Sequence, residues 1–304
     1  MKIDLDSINN NSSNILQCYK YYRERFVEYT VDRIKNLFTL LFDGNRKVLI
    51  VIELGKDDVN EQTIFDTINR AGVRLSAADI IKNNLFKKLL DKCDKNEAIR
   101  EQVVTTYKDC WDNVFARNQT VCDMWDEERI FGNIKHSNLE FLLYCVACIK
   151  WGEDCDMFPK LEAVYNRETE NMSYADLLAL VAEIKAYANI FMDFVLKFRN
   201  EVDSESTNRY FRYNNHVDRL LLILLKFKIQ MFYPYVIKRL YEVNCDTSDE
   251  GLIKDFAKLE SFVVRRKLSI KGTHDYTSKC YSIIKSGIDA VSYTHLRAHE
   301  TRRH

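Results

Sequence analysis

The sequence predicts a mainly α-helical protein: a partial α/β segment over residues 1–90, then an all-helical part. Three observations carry this. Only eight Gly and two Pro occur in 304 residues, which disfavours many-turned β folds and favours long helices. Apolar residues recur at helical spacing after Cys93, where no convincing strand is read. One continuous β-branched run, Val48 to Ile52, lies between Asp43-Gly44-Asn45 and Gly55 and reads as a buried strand.

The elements follow in order. Residues 1–14 are polar and Asn-rich and are expected to fray. Ile15 to Leu41 places Phe26, Val31, Ile34 and Phe38 at helical spacing, so one or two amphipathic helices are expected. Asn60 is a good N-cap for a helix over Glu61–Arg70, with Ile64, Phe65 and Ile68 on one face and Gly72 as its stop. Ser76-Ala-Ala-Asp79 is a capping-box-like start for a helix to about Leu90. A helical part then fills 91–290, with helices over Ala98–Phe115, Leu139–Trp151, Ser173–Phe198, Val217–Val243 and Ser248–Leu268. Ser173 with Asp176 is a second capping-box pattern. Polar breaks fall near Asn118, Glu168, Ser204 and Asn244.

Composition narrows the function classes. Lys plus Arg and Asp plus Glu are both 45, so no global charge draws the chain to nucleic acid, although a local patch still could. The first residues hold no apolar core of a signal peptide. The longest aliphatic run, Leu220 to Leu225, is about a third of a membrane span, so no membrane partner is expected. Nine cysteines without framework spacing suggest a reducing cytoplasm. Cys145 and Cys148 lie inside an apolar helix with no second pair, so they read as core residues rather than zinc ligands. His136, His216 and His274 have no nucleophile or carboxylate at a recognised spacing, and no catalytic residue is assigned. His295 and His299 lack a third ligand, so no metal site is expected.

The informative segment runs from Thr63 to Phe86 and reads as helix, glycine turn, helix. Arg70 and Arg74 flank Gly72 just before a helix N-terminus, an arrangement that suits a phosphate. Asp79, Lys82, Asn83 and Phe86 follow at i, i+3, i+4 and i+7, which puts three polar groups on one face. The plainer reading is a capped helix hairpin with a solvated face. Asp79 favours that reading, because a carboxylate in the first turn occupies the same positive end. Arg265-Arg266-Lys267, with Lys271, is the densest basic cluster before the last residues. It suits either phosphate contacts or the negative end of a helix.

Phe65, Asn69, Gly72, Leu75, Ser76, Asp79, Ile80, Ile81, Lys82, Asn83, Leu85 and Phe86 closely resemble the signature of the domain of unknown function 262 family, the N-terminal domain of GmrSD-type, modification-dependent restriction endonucleases. More weakly, Ile15–Phe26 resembles the family's aromatic-rich helix upstream of the strand, Trp111 and Leu139–Ile149 its helical middle, and Glu260–Arg266 its late helix, giving a resemblance over roughly 13–288. The resemblance implies a ParB/sulfiredoxin-like α/β part over 1–90, in a bacterial cytoplasmic protein. It also implies a nucleotide triphosphate with a divalent metal, and modified phage DNA as target. Asn69, Gly72, Ser76, Asp79, Lys82 and Asn83 would complete or support the nucleotide pocket. Arg70, Arg74, Arg265 and Arg266 are the phosphate or DNA candidates. The family's DGQQR motif and an HNH-type histidine arrangement do not occur here. The chain is therefore expected to be a central fragment with no cofactor of its own. Nucleotide hydrolysis and DNA cleavage would belong to the intact parent. Residues 291–304 resemble translated sequencing-adapter DNA, which places the end of native sequence near Ala290. An incomplete α/β part would expose the edge of the Val48–Ile52 strand, so self-association is expected. The alternatives are a non-catalytic helical interaction module and a DNA-binding regulator on the same fold.

Overall fold

The computed structural model describes residues 13–42, 76–93, 96–131, 134–152, 160–204, 215–268 and 275–289. The expected strand Val48–Ile52, the helix Glu61–Arg70, and Asn69, Gly72, Arg74, Lys271 and His274 lie outside the described residues, as does the terminal string 291–304. The chain divides into two compact units, Met1–Ala71 and Gly72–His304.

In the first unit, α1 (Asn14–Val27) and α2 (Val31–Phe42) are separate helices. Ser13 Oγ accepts the Leu16 amide at 3.4 Å, and Thr30 Oγ1 accepts the Arg33 amide at 3.4 Å, so each start has a hydroxyl cap. Tyr21, Tyr22 and Phe38 are each more than half exposed.

The second unit opens with α3 (Ala77–Asp91) and α4 (Glu97–Tyr107). A π-helical turn, Lys108–Asp112, and a last turn, Asn113–Phe115, extend α4. Then come α5 (Gln119–Asp126), β1 (Glu128–Phe131), β2 (Ile134–Ser137), α6 (Asn138–Trp151) and α7 (Leu161–Thr169). Next, α8 (Tyr174–Ile190) runs into a π-helical stretch, Phe191–Leu196, and a helical end, Lys197–Ser204. The unit closes with α9 (His216–Lys226), α10 (Tyr233–Glu242), α11 (Glu250–Leu268) and α12 (Tyr276–Ser286). The chain is mainly α, as its composition predicts.

Helix α6 is the centre. Leu142, Leu143, Cys145, Val146, Ala147 and Cys148 are all fully buried, so this helix is apolar on every side. Helices α3, α5, α7, α8 and α10 surround it. Cys145 and Cys148 are core residues, and burial pushes the Cys145 thiol up, away from reactivity. Ser173 and Asp176 form the capping box expected of them.

Four expectations need correction. The boundary placed near residue 90 falls earlier: Ile81, Leu85 and Leu89 bury the apolar face of α3 within the second unit, against α6, α7 and α8. Lys88 of α3 also closes the end of α7, donating to Asn166 O at 2.9 Å and Thr169 Oγ1 at 3.1 Å. The region after Cys93 is not strand-free: β1 and β2 form an antiparallel hairpin pairing Arg129 with His136 and Phe131 with Ile134. The single helix expected over Val217–Val243 is two. Lys228 takes φ 56° after α9, with Ile229 N bonded to Leu224 O at 2.8 Å and Lys228 N to Leu225 O at 3.1 Å. That is a Schellman ending with lysine where glycine is usual. Finally, α5, α7 and α12 are helices that apolar spacing alone did not single out.

Candidate functional site

The described half of the signature segment is the start of α3. Ser76 is the N-cap: its Oγ accepts the Asp79 amide at 3.1 Å and donates to Asp79 Oδ2 at 2.8 Å. Lys82 Nζ reaches Asp79 Oδ1 at 2.8 Å. Burial acts to raise the Asp79 pKa, but the bonds from Lys82 and Ser76 outweigh it and hold the carboxyl below its ordinary value. The Asp126 carboxyl is shifted the other way, by burial first and then by Asp79 and Asp123. The structure thus brings Ser76, Asp79 and Lys82 together. Asn83 is exposed one step round the helix, and Phe86 turns inward against Tyr107 and Trp111.

The start of α3 is fastened to the start of α6 through Glu140. Glu140 Oε1 accepts the Ala77 amide at 3.1 Å. Glu140 Oε2 accepts the Ser137 amide at 3.0 Å, and the Glu140 amide donates to Ser137 Oγ at 3.1 Å, a capping box. His136 Nδ1 lies 3.5 Å from the same Oε2. Burial lowers the His136 pKa and outweighs the pull of Glu140 in the opposite direction. Because the folded pKa is below the unfolded one, the unfolded chain takes up more protons as pH falls through about 6.5. Stability is fully present above that pH and is expected to fall below it, at no more than about 1.4 kcal/mol per pH unit. Urea unfolding between pH 7.5 and 5.5, with His136→Gln flattening the slope, checks this.

His136 and Ser137 also form one wall of a cavity of about 700 Å³. Its floor is aromatic: Phe141, Phe191, Tyr233 and Tyr276. Its charged rim is Arg129 of the hairpin, Arg199 beyond the π-helical stretch, and Lys228 of the left-handed turn. Arg129 and Arg199 converge on one oxygen, Glu127 Oε2, at 2.5 and 3.3 Å. Asn138, buried, accepts from Arg129 Nε at 3.1 Å and donates to Met124 O at 2.7 Å, tying the hairpin to the end of α5. Burial raises the Tyr233 pKa to about 12 against the opposing pull of Arg199, so its hydroxyl stays protonated.

The basic cluster on α11 is not a single surface. Arg266 is only 7% exposed, pairs with Asp275 and stands 5.2 Å over the Tyr276 ring. It braces the wall of the cavity and is not a free phosphate contact, because the helix turns it into the core. Lys267 lies 5.7 Å over the Phe227 ring, and Arg265 is exposed.

No family model, curated protein or solved structure matches the chain. Among the described residues, no group of three or more His, Cys, Asp or Glu side chains could hold a metal, and no helix is long and apolar enough to cross a membrane.

No local sequence pattern marks the cavity. Its residues are scattered from Glu128 to Tyr276, and each is locally unremarked. One signal was readable: Gly132-Asn133 between two short mixed runs marks a hairpin, which would have placed Arg129 opposite His136.

Proposed function

We propose that this chain is the nucleotide-responsive, DNA-targeting region of a modification-dependent restriction protein of the GmrSD type. The observation that carries the reading is the signature string, with twelve matching positions between Phe65 and Phe86. The local chemistry of its described half is compatible with the role. Ser76, Asp79 and Lys82 hold one another at a helix start, and Asn83 beside them is exposed. In this reading Asn69, Gly72, Ser76, Asp79, Lys82 and Asn83 support a pocket for a nucleotide triphosphate and its divalent metal. Arg70, Arg74 and Arg265 are the phosphate-facing cations. The host is a bacterial, cytoplasmic defence protein acting on modified phage DNA.

The test uses protein expressed from the complete source gene, with Lys82 and Asn83 both changed to Ala. Nucleotide triphosphate affinity is expected to fall at least about tenfold, or about 1.4 kcal/mol. Stability should move little, because the half-exposed Lys82–Asp79 pair is worth about 0.5 kcal/mol. Unchanged affinity removes the nucleotide-pocket role.

A second reading, a non-catalytic interaction module, draws on the first unit. There Tyr21, Tyr22 and Phe26 form an exposed aromatic cluster on α1, with Val27 82% exposed beside it. Nucleotide binding insensitive to the double change, together with capture of a protein partner that Tyr22→Ala and Phe26→Ala abolish, would favour this reading.

A further inference from the structure

The cavity in the second unit has the chemistry of a ligand site, independently of the family resemblance. A volume of about 700 Å³ falls within the range that small-molecule sites occupy. The lining carries three permanent cations, Arg129, Arg199 and Lys228, against one carboxylate, Glu128. That carboxylate faces Lys135 at 3.6 Å. Arg129 and Arg199 share the Glu127 carboxylate, so a smaller positive excess remains, carried by that pair of arginines and by Lys228, beside an apolar, aromatic wall.

Two tyrosines of the lining sharpen this. Tyr233 is 6% exposed and Tyr276 is 1% exposed, and both line the cavity. Both carry a phenol hydroxyl that can donate to a group inside the cavity. A tyrosine on an apolar wall offers a guest both a ring contact and a hydrogen-bond donor. The rings themselves are held rigidly. Phe141 stands edge-on to Tyr233 at 6.0 Å and to Phe191 at 5.9 Å, and Trp125 stacks on Phe191 from one side at 5.9 Å, so the aromatic lining is fixed in place.

The backbone points the same way. Lys228 occupies a left-handed position at φ 56°, where glycine would be less strained, and it lies on the cavity rim. Phe191 and Val195 reach the cavity from a π-helical stretch, a distortion that shifts side chains off the regular helical face. Both irregularities deliver side chains to the same space.

We propose that this cavity binds a small organic anion: a planar ring carrying a phosphate or carboxylate group. The ring lies among Phe141, Phe191 and Tyr233. The anionic group meets Arg129, Arg199 and Lys228, and the tyrosine hydroxyls donate to acceptors on the ring or its substituents. No covalent step is involved.

The test is calorimetric titration of the purified full chain. Adenosine and uridine 5′-monophosphates probe the phosphate source, and phenylpyruvate and indole-3-acetate probe the carboxylate source. Inorganic phosphate and adenosine serve as half-ligand controls. At least one ringed anion is expected to bind at one molecule per chain, at least about tenfold tighter than either control. Lys228→Gly removes a rim cation while suiting the left-handed backbone. It is expected to weaken binding about tenfold without lowering Tm. Tyr233→Phe should weaken it several-fold. Lys82→Ala with Asn83→Ala should leave this affinity unchanged, which separates this site from the nucleotide pocket proposed above. The proposal is overturned if no ringed anion saturates at millimolar concentration. It is equally overturned if binding is the same in Lys228→Gly and Tyr233→Phe as in the parent chain.

Discussion

Replacing Trp125 with alanine is expected to destabilise the protein by about 4 kcal/mol, lowering Tm by about 10 °C. Trp125 is 1% exposed, so the change removes one of the largest fully buried side chains. Its indole N–H donates to Val114 O at 3.1 Å, and the deletion strands that buried carbonyl as well. The ring also joins two parts of the core. Phe86 of α3 meets Trp111 at 6.0 Å, Trp111 meets Phe115 at 4.9 Å, and Phe115 meets Trp125 at 5.0 Å. Trp125 then stacks on Phe191, a floor residue of the cavity, at 5.9 Å. A hole at Trp125 would therefore loosen the packing between the signature helix and the cavity floor. Trp125→Phe keeps most of the apolar volume and should cost about half as much. Urea denaturation reads both changes. A loss below about 1 kcal/mol for the alanine variant would show that the chain closes over the hole.

The sequence made some of this architecture legible and hid the rest for physical reasons. Helix starts were readable where a hydroxyl and a carboxylate stand three apart: Ser76 with Asp79 and Ser173 with Asp176 both form the bonds that their spacing implies. Helix ends were harder. The run from Val217 to Val243 keeps an apolar stripe through the turn, because Phe227, Ile229 and Met231 continue to pack on the core. Lysine, not glycine, takes the left-handed position, so the usual stop signal is missing. Pro234, in the first turn of α10, was the available clue. The hairpin was missed because each strand is four residues long and carries charge. The cavity was invisible for a different reason: Arg129, Arg199 and Lys228 meet only through tertiary packing, and alone each looks like a solvated cation. Arg266 shows the converse. It sits in a basic cluster, yet its guanidinium is held inward by Asp275 and two aromatic rings.

Changing Glu140 to alanine is expected to cost about 2–3 kcal/mol, the largest effect for a single polar residue near the site. Its carboxylate has three duties. It accepts the first amide of α3, accepts the cap amide of α6, and lies beside His136 on the cavity wall. Each helix start presents amides with no intrahelical acceptor, and Glu140 is 15% exposed, so water replaces it poorly. Glu140→Gln keeps an acceptor for one amide but turns its NH2 towards the other, so it should recover only part of the loss. The pH profile adds a second readout. Glu140 raises the His136 pKa against the downward pull of burial. Without that carboxylate the folded pKa drops further, so the stability lost below about pH 6.5 should continue to lower pH. A Glu140→Ala variant that unfolds at the parent urea midpoint would mean that solvent caps both helices. The coupling between the signature helix and the cavity wall would then run through the aromatic core alone.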